Sequence, residues 1–187
     1  MLPVCPRWEE SETDDQLPSV VDGMCGFISF TLKRAKTYIL QHGDIKTWHG
    51  KIFRDAVPLA YYAGHYRSDD PNRPCLRKNV EVGGLWGAPF AVVPIRMREL
   101  SQELRDLTIT TDRYIKRDPT PMYRAQAAFF FAATYVGKLL QIHPFINGNG
   151  RMSRLTANYV LHRYGYPMGF PNPPLRPNRN YIRSEEH

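Results

Sequence analysis

The chain has 187 residues, 42% of them apolar and 12% aromatic, which suffices to bury the core of one ordinary domain and excludes wholesale disorder. No run approaches the roughly eighteen consecutive apolar residues of a membrane span. The net charge is +7, from 25 basic against 18 acidic side chains, but the Lys and Arg residues are dispersed without a basic block, so nucleic acid is not an expected partner.

Residues 1–22 read as an acidic, Pro-containing N-terminal arm, with no basic stretch and apolar stretch of the kind that opens a signal peptide. Cys5, Cys25 and Cys75 are too few and too scattered for a disulfide framework or a zinc site, so a reducing, cytoplasmic setting is expected. Residues 23–187 read as one domain. Met24, Phe27, Ile28, Leu32, Ala35, Tyr38 and Ile39 recur at helical spacing and predict a helix that runs to His42 and stops at Gly43. Ile45, Trp48, Ile52, Phe53 and Ala56 predict a second, ending before Pro58. Residues 58–94 are rich in Gly, Pro and Asp; Val80–Val82 and Phe90–Val93, with Gly83-Gly84 between, predict a small β-hairpin at about 78–94. Met97, Leu100, Leu104 and Leu107 mark a third helix. A fourth, from Met122 to Ile142, is apolar nearly all round (Ala127, Phe130, Phe131, Val136, Leu139) and is expected to be central, with the aromatic stripe 129–131 in the core. A fifth runs from Asn149 to Tyr164 and stops at Gly165, and five prolines between Pro167 and Pro177 then forbid regular structure up to Asn178. The fold class is mainly α with one β-hairpin.

The informative stretch is His143-Pro-Phe-Ile-Asn-Gly-Asn-Gly-Arg-Met-Ser-Arg154, at the junction of the fourth and fifth helices. Pro144 and two glycines let the backbone turn sharply. Gly148, Asn149 and Gly150 open a helix whose first N–H groups no large side chain covers, and that is an anion site by construction. Arg151 and Arg154, three apart, share a helix face. The conjunction describes a polyphosphate cradle with His143 as the titratable base at its rim. His42, His49, His65 and His162 show no metal-ligand spacing and read as surface or packing residues, while Trp48 and Trp86 are expected to pack in the core.

These residues resemble the signature of the Fic family, His-Pro-Phe-x-(Asp/Glu)-Gly-Asn-Gly-Arg-x-x-Arg: eight of nine specified positions match, a coincidence of roughly 10⁻¹⁰ on equal residue usage. Ala63-Gly64-His65-Tyr66-Arg67 and the hairpin after it look like the family's approach to its target-docking flap, and the resemblance covers about residues 24–183. It implies a Fic-type helical domain that transfers AMP from ATP, with Mg²⁺, to a hydroxyl side chain of a target protein docked at the flap. His143 would be the base, the Gly148, Asn149 and Gly150 backbone would hold phosphates, and Arg151 and Arg154 would grip the phosphate chain. Asn178, Arg179 and Tyr181 resemble residues near the adenine. Asn147 stands where the family's acidic metal ligand belongs; its amide oxygen can bind Mg²⁺ but brings no charge.

Three alternatives stay open. Doc-type relatives carry Ala-Asn-Lys at 148–150 and phosphorylate their targets; Gly150 leaves the space such a lysine would fill and favours nucleotidyl transfer. Another nucleotidyl or phosphocholine donor fits the same cradle. A non-catalytic binding module would explain Asn147. Many family members also carry an inhibitory helix ending in Glu-Gly or Glu-Asn, which reaches the second motif arginine, here Arg154. None of this chain's eight glutamates precedes Gly or Asn, so inhibition is expected either from an antitoxin-like partner chain, with this chain as the toxin of the pair, or from a segment outside this sequence.

Overall fold

A computed structural model of the chain describes residues 4–8, 17–82 and 84–166. Its helices are α1 (Leu17–Arg34), α2 (His42–Phe53), α3 (Val93–Arg117), α4 (Pro121–Ile142) and α5 (Asn149–Arg163), with a two-stranded ribbon, β1 (Glu81–Val82) and β2 (Leu85–Trp86), between α2 and α3. The mainly α class is as expected. Helix α4 lies between α3 and α5, while α1 packs on α2 and α5. One core runs through all five, built from Phe27, Ile52, Phe53, Met97, Phe131, Leu139, Phe145, Met152 and Leu155, and each such side chain contributes about 1.5–3 kcal/mol on burial.

Local chemistry explains where the helices begin. Pro121 occupies the first turn of α4 and Pro94 that of α3, where a missing N–H costs nothing. Gly165, at φ 89°, follows the end of α5. At Gly23 an added Cβ would lie 2.7 Å from the Ile52 Cα, so α1 and α2 cross at a distance that only glycine permits.

Four expectations need correction. The first helix does not reach His42: α1 ends at Arg34, and α2 begins at His42. Asp44 causes the break, because its carboxylate accepts both the Gln41 N–H and the Tyr38 hydroxyl at 2.8 Å and so starts a new helix. Arg163 secures the loose end of α1 by donating to the Ala35 carbonyl at 3.0 Å. The same α1 begins at Leu17, inside the stretch read as an arm.

Second, the hairpin is not the one expected. Glu81 pairs with Trp86 and Val82 with Leu85, two residues a strand, whereas Phe90–Val92 forms a turn of 3-10 helix and Val93 opens α3. Pro94 decides this, since it fits a helix start but cannot donate to a ladder. Third, α4 is not buried all round: Phe131 is in the core, but Phe129 and Phe130 are 49% and 71% exposed, and Trp86, also expected in the core, stands 70% exposed on the two-residue ribbon.

Fourth, Cys5 and Cys75 form a disulfide across 70 residues, with Cα atoms 5.4 Å apart, while Cys25 is a free, exposed thiol. The bond removes the premise on which a reducing compartment was expected. It ties residues 4–8 to a small cluster of Tyr62, Cys75 and Leu76, which Trp8 joins to the main core. Trp8 stacks on Tyr62 and meets Phe53 edge-on. No helix among the described residues is long and apolar enough to cross a membrane.

A closed loop of this length is worth about 4.4 kcal/mol in the chain-entropy account. Cys75→Ser, or dithiothreitol added to the wild type, should therefore lower Tm by the same amount. Melting that ignores reductant would show that the bond does not form.

Candidate functional site

The site is built where one buried helix stops and the next starts. Helix α4 closes on His143, which takes the left-handed conformation (φ 49°) while its N–H still donates to the Leu139 carbonyl. That conformation is uncommon for a side-chain-bearing residue and needs outside support. Pro144 then turns the chain, and Phe145 drops into the core fully buried. Asn149 locks the turn from the other side: its amide accepts the Phe145 N–H and donates to the Phe145 carbonyl, both at 2.9 Å. Gly148 is the N-cap of α5 at φ 78°, and an added Cβ would meet the Phe53 ring at 2.6 Å. Any other residue there would have to displace the buried Phe53 ring and strain a left-handed backbone.

His49 supports the same turn from α2. Its ring lies flat on Phe145, with centroids 3.7 Å apart and planes 9° apart. Nδ1 accepts the Gly64 N–H at 2.9 Å, so the proton sits on Nε2, which donates to the Asn147 carbonyl at 3.0 Å. The imidazole is thus neutral and serves two backbone groups at once, and burial pushes its pKa from 6.5 down to about 3. The expectation that His49 is an ordinary residue missed this; the available signal was its place on the apolar face shared with Ile45, Ile52 and Phe53.

Arg67, also missed, is completely buried. Its Nε donates to the His143 carbonyl at 2.8 Å, and its backbone N–H to the Pro144 carbonyl at 2.8 Å. Burial lowers its pKa to about 10, which leaves it a cation at neutral pH. No ion pair to a carboxylate holds it among the described residues; the negative end of α4 takes that role.

The structure places the remaining candidate residues as follows. His143 is half-buried at the end of α4, beside Gly87 of the ribbon base, where an added Cβ would lie 3.0 Å from the His143 Cβ. Gly148 caps α5 with its N–H already donated to Asn147 Oδ1, and Asn149 and Gly150 open the first turn, whose N–H groups have no carbonyl one turn earlier in the helix. Asn149 is buried with its side chain spent on Phe145, so only its backbone can face a ligand. The Arg154 guanidinium folds over this turn, its Nη1 3.5 Å from where a Gly150 Cβ would stand. Arg151 instead lies over the Phe53 ring, 5.7 Å from its centroid, so the shared face splits into two directions. Tyr181, with Asn178 and Arg179, lies outside the described residues.

Asn147 donates through Nδ2 to the Trp8 carbonyl at 3.1 Å and accepts the Gly148 N–H on Oδ1 at 2.7 Å. The amide is thereby committed at both ends. Among the described residues no cluster of three His, Cys, Asp or Glu side chains gathers to hold a metal. With no carboxylate at 147 and the amide oxygen already engaged, these residues do not fit a protein-held Mg²⁺.

The His49 geometry dictates a pH dependence. The unfolded imidazole binds a proton below its ordinary 6.5, whereas the folded one resists until about 3. The unfolded state therefore gains protons first, and stability present above pH 6.5 is lost as pH falls, by up to about 1.4 kcal/mol per unit. His42 and His65, also lowered by burial, act in the same direction. Urea denaturation at pH 7 and pH 5 should show the loss, and His49→Gln should flatten it; a slope unchanged in the variant would contradict the buried neutral ring.

The sequence pattern of the Fic/DOC family matches residues 39–161, well over half of the chain. A Fido domain-containing protein of Dictyostelium discoideum is 51% identical over 53 residues, which cover 28% of this chain and 36% of that protein. The protein adenylyltransferase Fic of Drosophila grimshawi is 60% identical over 37 residues, 20% of this chain and 8% of that one. The matched segments thus span about a third of the first relative and under a tenth of the second. The crystal structure of a Fic domain containing signaling protein from Bacteroides thetaiotaomicron superposes with a TM-score of 0.57 at 26% identity, over 80% of this chain and 50% of that one. With the family pattern spanning residues 39–161, the signature from His143 to Arg154 included, the chain belongs to the Fic/DOC family.

Proposed function

We propose that this protein is an adenylyltransferase that moves AMP from ATP onto a hydroxyl side chain of another protein. Fic-domain proteins commonly carry out this reaction. The observation that carries the reading is the first turn of α5: a glycine-opened helix start with the Arg154 head folded over it, one turn of chain from His143. Such a start attracts phosphate through its N–H groups and the positive helix end. Gly150 keeps the turn open, which favours a nucleotide seated for attack at its α-phosphorus over the Doc-type phosphorylation.

The chemistry balances with this chain's own groups. The target hydroxyl oxygen attacks the α-phosphorus, its proton passes to the His143 imidazole, the bond to the β-phosphate bridging oxygen breaks, and pyrophosphate leaves. The α5 backbone and Arg154 stabilise charge on the phosphate oxygens. The ribbon, with Leu85 and Trp86 76% and 70% exposed, offers an edge to which an extended target segment can add as a strand. Mg²⁺, implied by the family resemblance, is not assigned to Asn147. Inhibition by a separate antitoxin-like chain follows the same logic, since a carboxylate at Arg154 would compete with phosphate for one set of donors.

The engagement of Asn147 with Trp8 favours a second reading, a non-catalytic Fic-fold binding module. Lysate incubated with ATP labelled at the α- or the γ-phosphate separates the readings. Label from the α position alone, lost in His143→Ala while Tm is kept, supports adenylyl transfer. Label from the γ position would mean phosphorylation, and no label from any nucleotide would leave the binding module.

Asn147→Asp tests the metal. Aspartate supplies the charge that Mg²⁺ prefers but has no donor for the Trp8 carbonyl, a loss of about 1 kcal/mol. Tighter Mg²⁺ dependence of ATP binding together with a lower Tm is expected; an unchanged Mg²⁺ titration would place residue 147 away from the metal.

A further inference from the structure

We infer that Arg67 is the positioning residue that sets the docking ribbon at a fixed distance from His143; this rests on the adenylyltransferase reading and names what aligns its target. The guanidinium donates four hydrogen bonds in two directions. Toward the end of α4, Nε reaches the His143 carbonyl at 2.8 Å and Nη2 the Ile142 carbonyl at 2.9 Å. Toward the ribbon, Nη1 reaches the Lys78 carbonyl at 2.9 Å and Nη2 the Ala88 carbonyl at 2.8 Å. Lys78 precedes β1 and Ala88 follows β2, so one side chain holds both legs of the ribbon.

Neighbouring contacts make the joint stiff. Gly87 donates to the Val80 carbonyl at 3.0 Å, and Ala88 to the Gln141 carbonyl at 3.2 Å. The Gly87 Cα faces His143 so closely that a Cβ would come within 3.0 Å of the His143 Cβ and 3.3 Å of Arg67 Nη2. Ribbon base, guanidinium and left-handed His143 therefore form one unit. A strand added to the ribbon presents its hydroxyl to the imidazole in a register set by this joint, and in-line attack tolerates little displacement. Arginine is required because its planar fork serves separated carbonyls at once, whereas a lysine ammonium is a point donor.

The test uses the full chain with Arg67→Lys, and Gly87→Ala as a second variant that keeps the arginine but crowds the joint between His143 and its Nη2. Arg67→Lys should lower kcat for protein labelling at least tenfold and change the dissociation constant for ATP less than threefold. Gly87→Ala should move kcat in the same direction. Hydrogen exchange read without any substrate should accelerate together at Gly87, Ala88 and His143, and stay unchanged in α1 and α2. Normal kcat in Arg67→Lys would overturn the proposal, as would acceleration confined to one side of the joint or spread over the whole chain. If the wild type labels no protein, the transferase reading fails by itself, and the exchange pattern still decides whether Arg67 couples ribbon to His143.

Discussion

A chain that ends one buried helix and begins another within seven residues leaves polar backbone groups where water has no access, and each unmet group costs about 1–3 kcal/mol. Everything distinctive in this protein answers that constraint. Asn149 satisfies both backbone groups of Phe145, His49 satisfies Asn147 and Gly64, and Arg67 gathers the last carbonyls of α4. The Phe145 ring, flat against His49, closes the space between them. With the turn held from three sides, His143 can keep a backbone conformation that it would not hold alone.

The same arrangement separates charge. The negative end of α4 receives a buried guanidinium, while the Arg154 head lies over the first turn of α5, at that helix's positive end. His143, which closes α4, lies between these two helix ends. The arm adds a further layer: Trp8, tethered near the Cys5–Cys75 bond, covers His49 and Phe53 and takes a hydrogen bond from Asn147. The residue that departs from the family signature is therefore the one committed to a segment far away in the chain.

The ends of α4 and α5 were legible because Pro121, Pro144, Gly148 and Gly165 act locally. The break between α1 and α2 was not, because no Gly or Pro marks it: Asp44 made it by bonding Tyr38 and Gln41, and the apolar spacing of Tyr38 and Ile39 ran on across the gap. Phe90–Val93 carried strand composition but stood against Pro94, and the helix start prevailed. Phe130 looked like core because α4 is apolar on every side, yet only the faces toward α3 and α5 are covered.

The candidate site divides along the same line. Its motif residues, His143 through Arg154, occupy twelve consecutive positions, so their types and spacing can be read before any fold is known. The supports act across 76 residues for Arg67 on His143, 98 for His49 on Asn147, 139 for Trp8 on Asn147 and 70 for Cys5 with Cys75. No periodicity or turn signal encodes contacts at such separations. By itself the sequence determined the helical class, the motif and the glycine-opened start of α5, because these follow from neighbours along the chain. Only the tertiary structure decided that an arginine, a histidine and a distant tryptophan complete the turn, because backbone groups buried there must bond to whatever packing brings near.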